Sequence, residues 1–247
     1  MSNSNETGHA RNVANFEKLI VGITAQGAAY NPANAQLKPE ALNSQLAAAR
    51  TVNEAVNAAL TVFKNAVGAR NTAFETLDRL VTRVNNALKA SGAEGPVVQN
   101  AQTFVRKLKG RRAKAKMSDE EKQAALAKGQ VVVEISASQR GFDSRIDYLD
   151  KLISLLASVA VYAPNEADLK VESLKQLLEK LKAANSAVAI AQTQLNNARI
   201  TRNETLYHPA NGVVGISTGV KLYVKSVFGA TSPQYKALSG LRFKPTT

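Results

Sequence analysis

Few residues of this 247-residue chain are of types that catalyse reactions or bind metals. It has two histidines, His9 near the N-terminus and His208 in a Tyr-His-Pro turn, and it has no cysteine. Two histidines so placed do not predict a metal centre, and no nucleophile elbow accompanies them. The lack of cysteine excludes disulfides and cysteine-based zinc, iron–sulfur or nucleophilic chemistry. We therefore expect no catalytic residue, no metal and no cofactor, and we interpret His208 as a turn residue.

Two further patterns also lack the features of an enzyme. Gly212, Gly215 and Gly219 do not form a phosphate-binding loop, because no strand precedes them and no Gly-Lys-Ser/Thr sequence ends them. Carboxylates such as Glu17 and Glu54 have the spacing of surface residues on helices, without the histidines of a di-metal site. The sequence thus predicts a protein that is not an enzyme.

One phrase of the sequence occurs twice. Residues 30–42 (YNPANAQLKPEAL) and 162–174 (YAPNEADLKVESL) are identical at seven of thirteen positions and lie 132 residues apart. Matches continue in order on both sides, with one shift of five residues that coincides with the turn-like insert at 208–212. Ordered matches over this length indicate duplication of a whole helical unit. By analogy with a dimer, two such units are expected to pack about a pseudo-two-fold axis.

The composition predicts that the repeat is built from helices. Alanine is abundant, tryptophan is absent and only seven prolines interrupt the chain, which favours helix over sheet. In each copy an amphipathic helix, at about residues 11–26 and 142–161, ends near the Tyr-x-Pro phrase, because proline blocks its continuation. A long helix and then a shorter one follow. The sequence therefore predicts an all-α protein of two tandem-duplicated helical-bundle units with long antiparallel helices.

The long helices carry a heptad seam, which is typical of a coiled coil or a bundle. In the first copy the helix is predicted from Pro39 to Ser91, with Gly68 as a place where it could bend. In the second copy it is expected to stop near Tyr207. Two seam positions are polar, and each recurs in the second copy: Asn53/Asn185 and Arg70/Arg202. We interpret these four as residues that fix helix register.

The two seam arginines allow another interpretation. A semi-buried arginine needs a carboxylate or carbonyl partner, and an anionic ligand could supply it. The alternative is therefore an internal anion or ligand site near Arg70 and Arg202. That hypothesis would fail if both guanidinium groups were saturated by protein acceptors.

These patterns divide the chain into four segments. Residues 1–12 are expected to be a mobile N-terminus, 13–110 the first helical unit, 111–145 a basic linker with a short helix, and 146–244 the second helical unit. The short helix is predicted at about residues 119–128 from its capping-box start. Neither a secretory signal nor a membrane-spanning stretch is evident, so we expect a soluble, cytoplasmic protein.

The net charge of +13 is concentrated at the C-terminal ends of the two copies. Residues 97–117 contain seven basic residues and no acid, and residues 208–247 contain five and no acid. Such stretches attract nucleic acid, acidic protein surfaces or phospholipid headgroups. The aromatic residues of the second stretch suit base stacking, but they suit the packing of small helices on a bundle at least as well. The candidate contacts for a polyanion or protein partner are Arg106, Lys107, Lys109, Arg111, Arg112, Lys114, Lys116, Lys221, Lys225, Lys236, Arg242 and Lys244.

The second copy carries two short motifs, Arg202-Asn203-x-x-Leu206-Tyr207 and Phe228-Gly229-x-x-Ser232-Pro233-x-Tyr235-Lys236. On these motifs the chain resembles an uncharacterised bacterial family of helical proteins. The resemblance covers mainly the second copy, since in the first copy Phe74 replaces the neighbourhood of Tyr207 and Glu94-Gly95 replaces Thr-Ser. It implies an all-helical fold and brings no activity, cofactor or partner.

The leading interpretation is a non-enzymatic structural protein, either a scaffold or a self-assembling subunit, that associates with a protein partner or with itself. The seam, the duplication and the missing active-site groups favour it. The alternative is a nucleic-acid-associated protein that binds polyanions through residues 97–117 and 208–247. An enzyme or ligand carrier with a site near Arg70 and Arg202 is the least favoured.

Overall fold

The computed structural model describes residues 6–111, 118, 120, 123–124, 127–128 and 141–244. Every regular element within these ranges is a helix, so the predicted all-α class is confirmed. Short 3-10 helices at Ala35–Leu37 and Ala167–Leu169 precede the two long helices. Most of the predicted short helix at 119–128 lies outside the described residues. The α-helices are α1 (Glu6–Thr24), α2 (Pro39–Glu75), α3 (Leu77–Ala90), α4 (Gly95–Leu108), α5 (Phe142–Ala157), α6 (Val171–Tyr207), α7 (Val213–Phe228) and α8 (Pro233–Ser239).

Local sequence explains several helix ends. Pro39 is the first residue of α2, where its missing N–H is harmless. The hydroxyl of Ser232 accepts a hydrogen bond from the N–H of Tyr235 at 3.1 Å and so caps α8, as its position before a proline predicts. The long helix α6 ends at Tyr207, two residues before Pro209, also as predicted.

The helix predicted to run from Pro39 to Ser91 is divided at Thr76 into α2 and α3. Gly68, where a bend was expected, lies inside α2 and is exposed. The break comes eight residues later, at a residue that keeps φ near −86° and ψ near −8°. Phe74 and Leu77 are buried on the two sides of the break. The apolar seam therefore continues across the interruption, which explains why periodicity alone did not reveal it.

The chain forms two compact units, and each draws on both halves of the sequence. The described part of unit 1 is residues 6–64 and 191–244, and unit 2 is residues 65–190. Helix α2 passes from unit 1 to unit 2 after Lys64, and α6 passes from unit 2 to unit 1 after Ile190. The predicted segments 13–110 and 146–244 are therefore each divided between the two units.

The core of unit 1 combines α1 and the start of α2 with the end of α6, α7 and α8. Each fully buried aliphatic or aromatic side chain in it contributes about 1.5–3 kcal/mol. Helix α1 approaches α8 very closely, since a Cβ at Gly22 would lie 2.4 Å from Cδ2 of Leu238. The central core residues are Phe16, Leu19, Ile23, Leu42, Leu206, Val213, Val220 and Val224.

The core of unit 2 combines the later helices of the first half of the chain with the earlier helices of the second half. The end of α2, together with α3 and α4, packs on α5 and the start of α6. The four core-facing residues of α3 recur at spacings of four, three and four, as an amphipathic helix requires. The central core residues are Leu77, Val81, Val84, Leu88, Leu108, Leu149, Leu152, Leu156, Leu174 and Leu181.

Candidate functional site

The two Tyr-x-Pro connectors contain the same hydrogen bond. The hydroxyl of Tyr30 donates to the carbonyl oxygen of Leu37 at 2.7 Å, and that of Tyr162 donates to the carbonyl oxygen of Leu169 at 2.8 Å. Both tyrosines are only 6% exposed. Burial raises the pKa of each phenol to about 12, with a smaller contribution from Tyr223 for Tyr30 and from nearby carboxylates for Tyr162. Each connector is thus stabilised by one hydrogen bond from a buried, neutral tyrosine hydroxyl.

Arg70 lies in a polar and aromatic cluster within unit 2. Its Nη1 donates to Oδ1 of Asn185 at 3.1 Å, and its guanidinium carbon lies 3.9 Å from the centre of the Phe142 ring. Asn185 in turn donates from Nδ2 to Oδ1 of Asp143 at 2.7 Å. A seam arginine of the first predicted copy thus binds a seam asparagine of the second. Because a carboxylate orients the amide, the contact favours one alignment of α2 on α6.

A second arginine of unit 2 extends this cluster. Nη2 of Arg145 lies 2.5 Å from Oδ1 of Asp78, and its guanidinium carbon is 5.3 Å from the centre of the Phe74 ring. The rings of Phe74 and Phe142 meet edge to face at 4.9 Å. Nε of Arg70 and Nε of Arg145 are each buried without a hydrogen-bond acceptor, so neither of these two guanidinium groups is saturated by the protein. However, Asp78 and the carboxylate beside Asn185 already supply two negative charges, which favours the register interpretation over an anion site.

Arg202, the second seam arginine, lies in unit 1 and therefore in a different unit from Arg70. Its side chain is 3% exposed, and Nε and Nη2 donate to Oδ1 of Asn203 at 3.2 and 3.0 Å. Asn53, the other seam asparagine, is half-buried in the unit 1 part of α2. Because Arg70 belongs to unit 2 and Arg202 to unit 1, no ligand site inside a single unit contains both arginines.

A cluster that sequence reasoning missed joins the two ends of the chain in unit 1. Nδ2 of Asn12 donates to the carbonyl oxygen of Lys244 at 2.8 Å, and its Oδ1 accepts from the N–H of Lys244 at 2.9 Å. The same Nδ2 donates to the hydroxyl of Tyr207 at 3.2 Å, and Nδ1 of His9 lies 2.6 Å from that hydroxyl. These contacts hold residues 9 and 12 of α1 in place, and both residues belong to the segment expected to be mobile.

The signal for this cluster is present in the sequence of α1. Asn12 is 1% exposed and stands four residues before Phe16, at the head of the apolar face that continues through Leu19 and Ile23. A polar residue on a core-facing stripe has to find hydrogen-bond partners within the protein. That rule predicts an interaction for Asn12, but it does not identify the partner.

Unit 2 has an open groove of about 540 Å³ between α3 and the second connector. Arg83 borders it and forms an ion pair with Asp168, and both side chains are about half exposed. An exposed pair of this kind contributes at most about 1 kcal/mol. The lining also includes Glu166, two asparagines and the hydroxyl-bearing Ser91 and Tyr162, whose hydroxyls donate to the carbonyl oxygens of Leu88 and Leu169. Arg83, Ser91 and Tyr162 are thus each engaged by groups of unit 2.

The first predicted basic stretch lies in unit 2 as far as it is described. Nζ of Lys107 is 5.2 Å from the centre of the Tyr148 ring, and Lys109 donates to the hydroxyl of Thr82. Arg106 is half-buried and Arg111 is exposed. Three candidate residues lie outside the described ranges: Arg112, Lys114 and Lys116. The described cations of this stretch are thus partly engaged within unit 2.

The second basic stretch lies in unit 1, and one of its lysines is used internally. Nζ of Lys221 donates to the carbonyl oxygen of Leu241 and lies 5.3 Å from the centre of the Phe243 ring. Burial lowers the pKa of this lysine. The other four cations are exposed: Lys225, Lys236, Arg242 and Lys244. The aromatic residues pack partly buried against the core, which agrees with the helix-packing alternative: Tyr223, Phe228, Tyr235 and Phe243.

The contacts of His208 are those of a turn residue. Its Nδ1 accepts a hydrogen bond from the N–H of Ala210 at 3.2 Å, and its Nε2 lies 3.6 Å from Oε1 of Glu204. Within the described ranges, no three His, Cys, Asp or Glu side chains are grouped so that they could hold a metal ion. In the same part of the chain, no helix combines the length and the apolar character that crossing a bilayer requires.

No protein-family model, no curated protein and no solved structure matches this chain. The resemblance of the motifs around Tyr207 and Ser232 to a family of bacterial helical proteins therefore stays an expectation.

Proposed function

We propose that this protein is a non-enzymatic structural protein, a helical scaffold whose two long helices each contribute to both compact units. The observation that carries the proposal is the reciprocal composition of the units. Unit 1 takes α1 and the start of α2 from the first half of the chain, and the end of α6, α7 and α8 from the second. Unit 2 takes the end of α2, α3 and α4 from the first half, and α5 and the start of α6 from the second. Neither half can therefore complete a core alone, and each 37-residue helix serves as framework.

The proposal includes an origin by duplication of one helical segment. Both halves have the same order of α-helices, namely one helix before the connector, a 37-residue helix after it and then two shorter helices. The connector tyrosines make equivalent hydrogen bonds. A ring near the start of the first helix of each half also packs against a ring near the end of the other half's long helix. The two pairs are Phe142 with Phe74 and His9 with Tyr207. The pseudo-two-fold relation stays a prediction.

Self-association is the second part of the proposed function. Ile200 on the unit 1 part of α6 is 67% exposed, and Val62 on the unit 1 part of α2 is 50% exposed. On the unit 2 part of α6, Ile190 is 59% exposed. Single exposed aliphatic residues are common, and these three lie off the buried seam of the long helices, where they offer apolar area that a second copy of the chain would cover. We propose that contacts at these residues join copies of the chain.

Sedimentation velocity over a wide concentration range, with negative-stain microscopy, tests this function. We expect reversible oligomers that weaken in the variants Ile190→Ser and Ile200→Ser. The matched control is Gln194→Ser, which changes an exposed polar residue of the same helix and should leave assembly intact. A protein that stays monomeric at every concentration and retains no protein partner in a pull-down would contradict the proposal.

A further inference from the structure

The C-terminal segment of unit 1 lies alongside α1 in the opposite chain direction. Three contacts establish this arrangement: Gly22 meets Leu238, Nδ2 of Asn15 donates to the carbonyl oxygen of Arg242 at 2.8 Å, and Asn12 binds both backbone groups of Lys244. The ten residues from position 22 back to position 12 span about 15 Å of α1, at about 1.5 Å per residue. Residues 238–244 therefore follow α1 as an ordered row.

Exposed cations border this row on both elements. Arg11 and Lys18 stand four before and three after Asn15, so they share the face of α1 that the C-terminal segment contacts. The sequence-based reasoning did not single out these two residues. The five exposed cations form what we call the terminal basic surface: Arg11, Lys18, Lys236, Arg242 and Lys244. They come from both ends of the chain and are brought together by the fold.

The terminal basic surface is poor in carboxylates. Residues 208–244 contain no acid. Glu17 of α1 is engaged elsewhere, since its Oε1 lies 2.6 Å from Nη2 of Arg50. Among the described residues, none of the five cations has a carboxylate within ion-pair distance. The positive charge of this surface is therefore available to an external anion.

We propose that the terminal basic surface binds the phosphate backbone of double-stranded nucleic acid without reading its sequence. A row of cations suits a linear polyanion, and displacement of condensed counterions supplies the affinity. The aromatic residues of the same region pack against the core of unit 1, so they offer no platform for unpaired bases. A duplex is favoured over a single strand because its phosphates have the higher charge density. This binding is independent of the scaffold function.

Fluorescence anisotropy with the full-length protein and a short duplex of mixed sequence tests this inference. Five phosphate contacts predict that affinity falls several hundred-fold for a fourfold rise in salt, from a slope of about −4.5. The triple variant Lys18→Gln, Lys236→Gln and Arg242→Gln should reduce that slope to about −2. It should also bind at least about tenfold more weakly than a control that loses three exposed lysines of unit 2, Lys89→Gln, Lys175→Gln and Lys180→Gln.

The control has the same net charge as the test variant, so it separates a local surface from diffuse attraction. Circular dichroism melting of both variants establishes that each is folded. Equal losses of affinity in the two variants, or no binding at low salt, would overturn the proposal. Tighter binding to a single strand of the same length would also overturn it. So would binding to vesicles of anionic phospholipid without binding to the duplex, because the partner would then be a membrane.

Discussion

Asn12 and Lys244 lie 232 residues apart in the sequence and are joined by two hydrogen bonds, of 2.8 and 2.9 Å. The side-chain amide of Asn12 pairs with both the carbonyl and the N–H of Lys244, as a neighbouring strand would. Asn12 is 1% exposed, so its amide makes both bonds in a site that is largely closed to water. This pair fastens the end of the described chain to its first helix.

The variant Asn12→Ala should lower the free energy of unfolding by about 1–3 kcal/mol, because it removes two hydrogen bonds to Lys244 and leaves the buried site of the amide empty. Asn12→Asp should lower the free energy of unfolding further than Asn12→Ala does, because a carboxylate cannot donate a hydrogen bond to the carbonyl oxygen of Lys244. Urea denaturation measures both changes. Asn57→Ala, the same substitution at an exposed position of α2, is the matched control and should not lower stability, since alanine is the better helix former. An Asn12→Ala variant as stable as this control would contradict the account of the cluster.

Gly22 and Gly68 should respond in opposite ways to replacement by alanine. Gly22→Ala places a methyl group 2.4 Å from Cδ2 of Leu238, a buried residue, so overpacking should cost about 1–3 kcal/mol. Gly68 is exposed within α2 and has no neighbouring atom near its Cβ position, so Gly68→Ala should stabilise the protein by about 1 kcal/mol. Thermal unfolding measures both effects.

The side chain of Leu238 is the expected cause of the penalty at Gly22. In a Leu238→Ala background the methyl group has space, and Gly22→Ala should then cost little or nothing. A penalty that persists in the double variant would show that the side chain of Leu238 is not its cause.

Stability should fall at alkaline pH because of the buried phenols. The pKa of Tyr30 and Tyr162 is raised to about 12 in the folded protein, above the ordinary value of 10. Their stabilising contribution is therefore complete below pH 10 and is lost as the pH rises through about 12. Phenolate absorbance should detect two tyrosines that ionise late, and Tyr30→Phe and Tyr162→Phe should each remove one of them. Ionisation of both at pH 10 in the folded protein would refute this prediction.

Arg70 and Asn185 should be energetically coupled. A double-mutant cycle with Arg70→Ala and Asn185→Ala should give a coupling free energy of about 0.5–1.5 kcal/mol, because the hydrogen bond is partly buried. A second cycle that pairs Arg70 with the exposed Lys175 provides the comparison and should give a value near zero. If both cycles gave the same value, Asn185 would not be a register partner of Arg70.

Much of the local structure was predictable from the sequence. Proline and capping patterns predicted the end of α6 near Tyr207 and the start of α8 after Ser232. The Tyr-x-Pro phrase predicted the end of the first helix in each half, and α1 and α5 both end before it. These features depend on residues close together in the chain, where the rules for caps and prolines are strong.

The pairing of segments was not predictable in the same way. A heptad seam indicates which face of a helix is buried, but it does not identify the helix that covers it. Contiguous copies were expected to form contiguous units, yet α2 and α6 each belong to both units. The contact of Asn12 with Lys244 was missed for the same reason, because its partner lies at the other end of the chain.

We infer that each compact unit needs segments from both halves of the chain. Insertion of a specific protease site within residues 112–117, followed by cleavage of the full-length protein, tests it most directly. We predict that the two fragments stay associated on gel filtration and keep their helical circular dichroism. After separation in denaturant each fragment alone should lose most of its helix, and mixing should restore it. Fragments that separate into two stably folded, independent species would contradict the account.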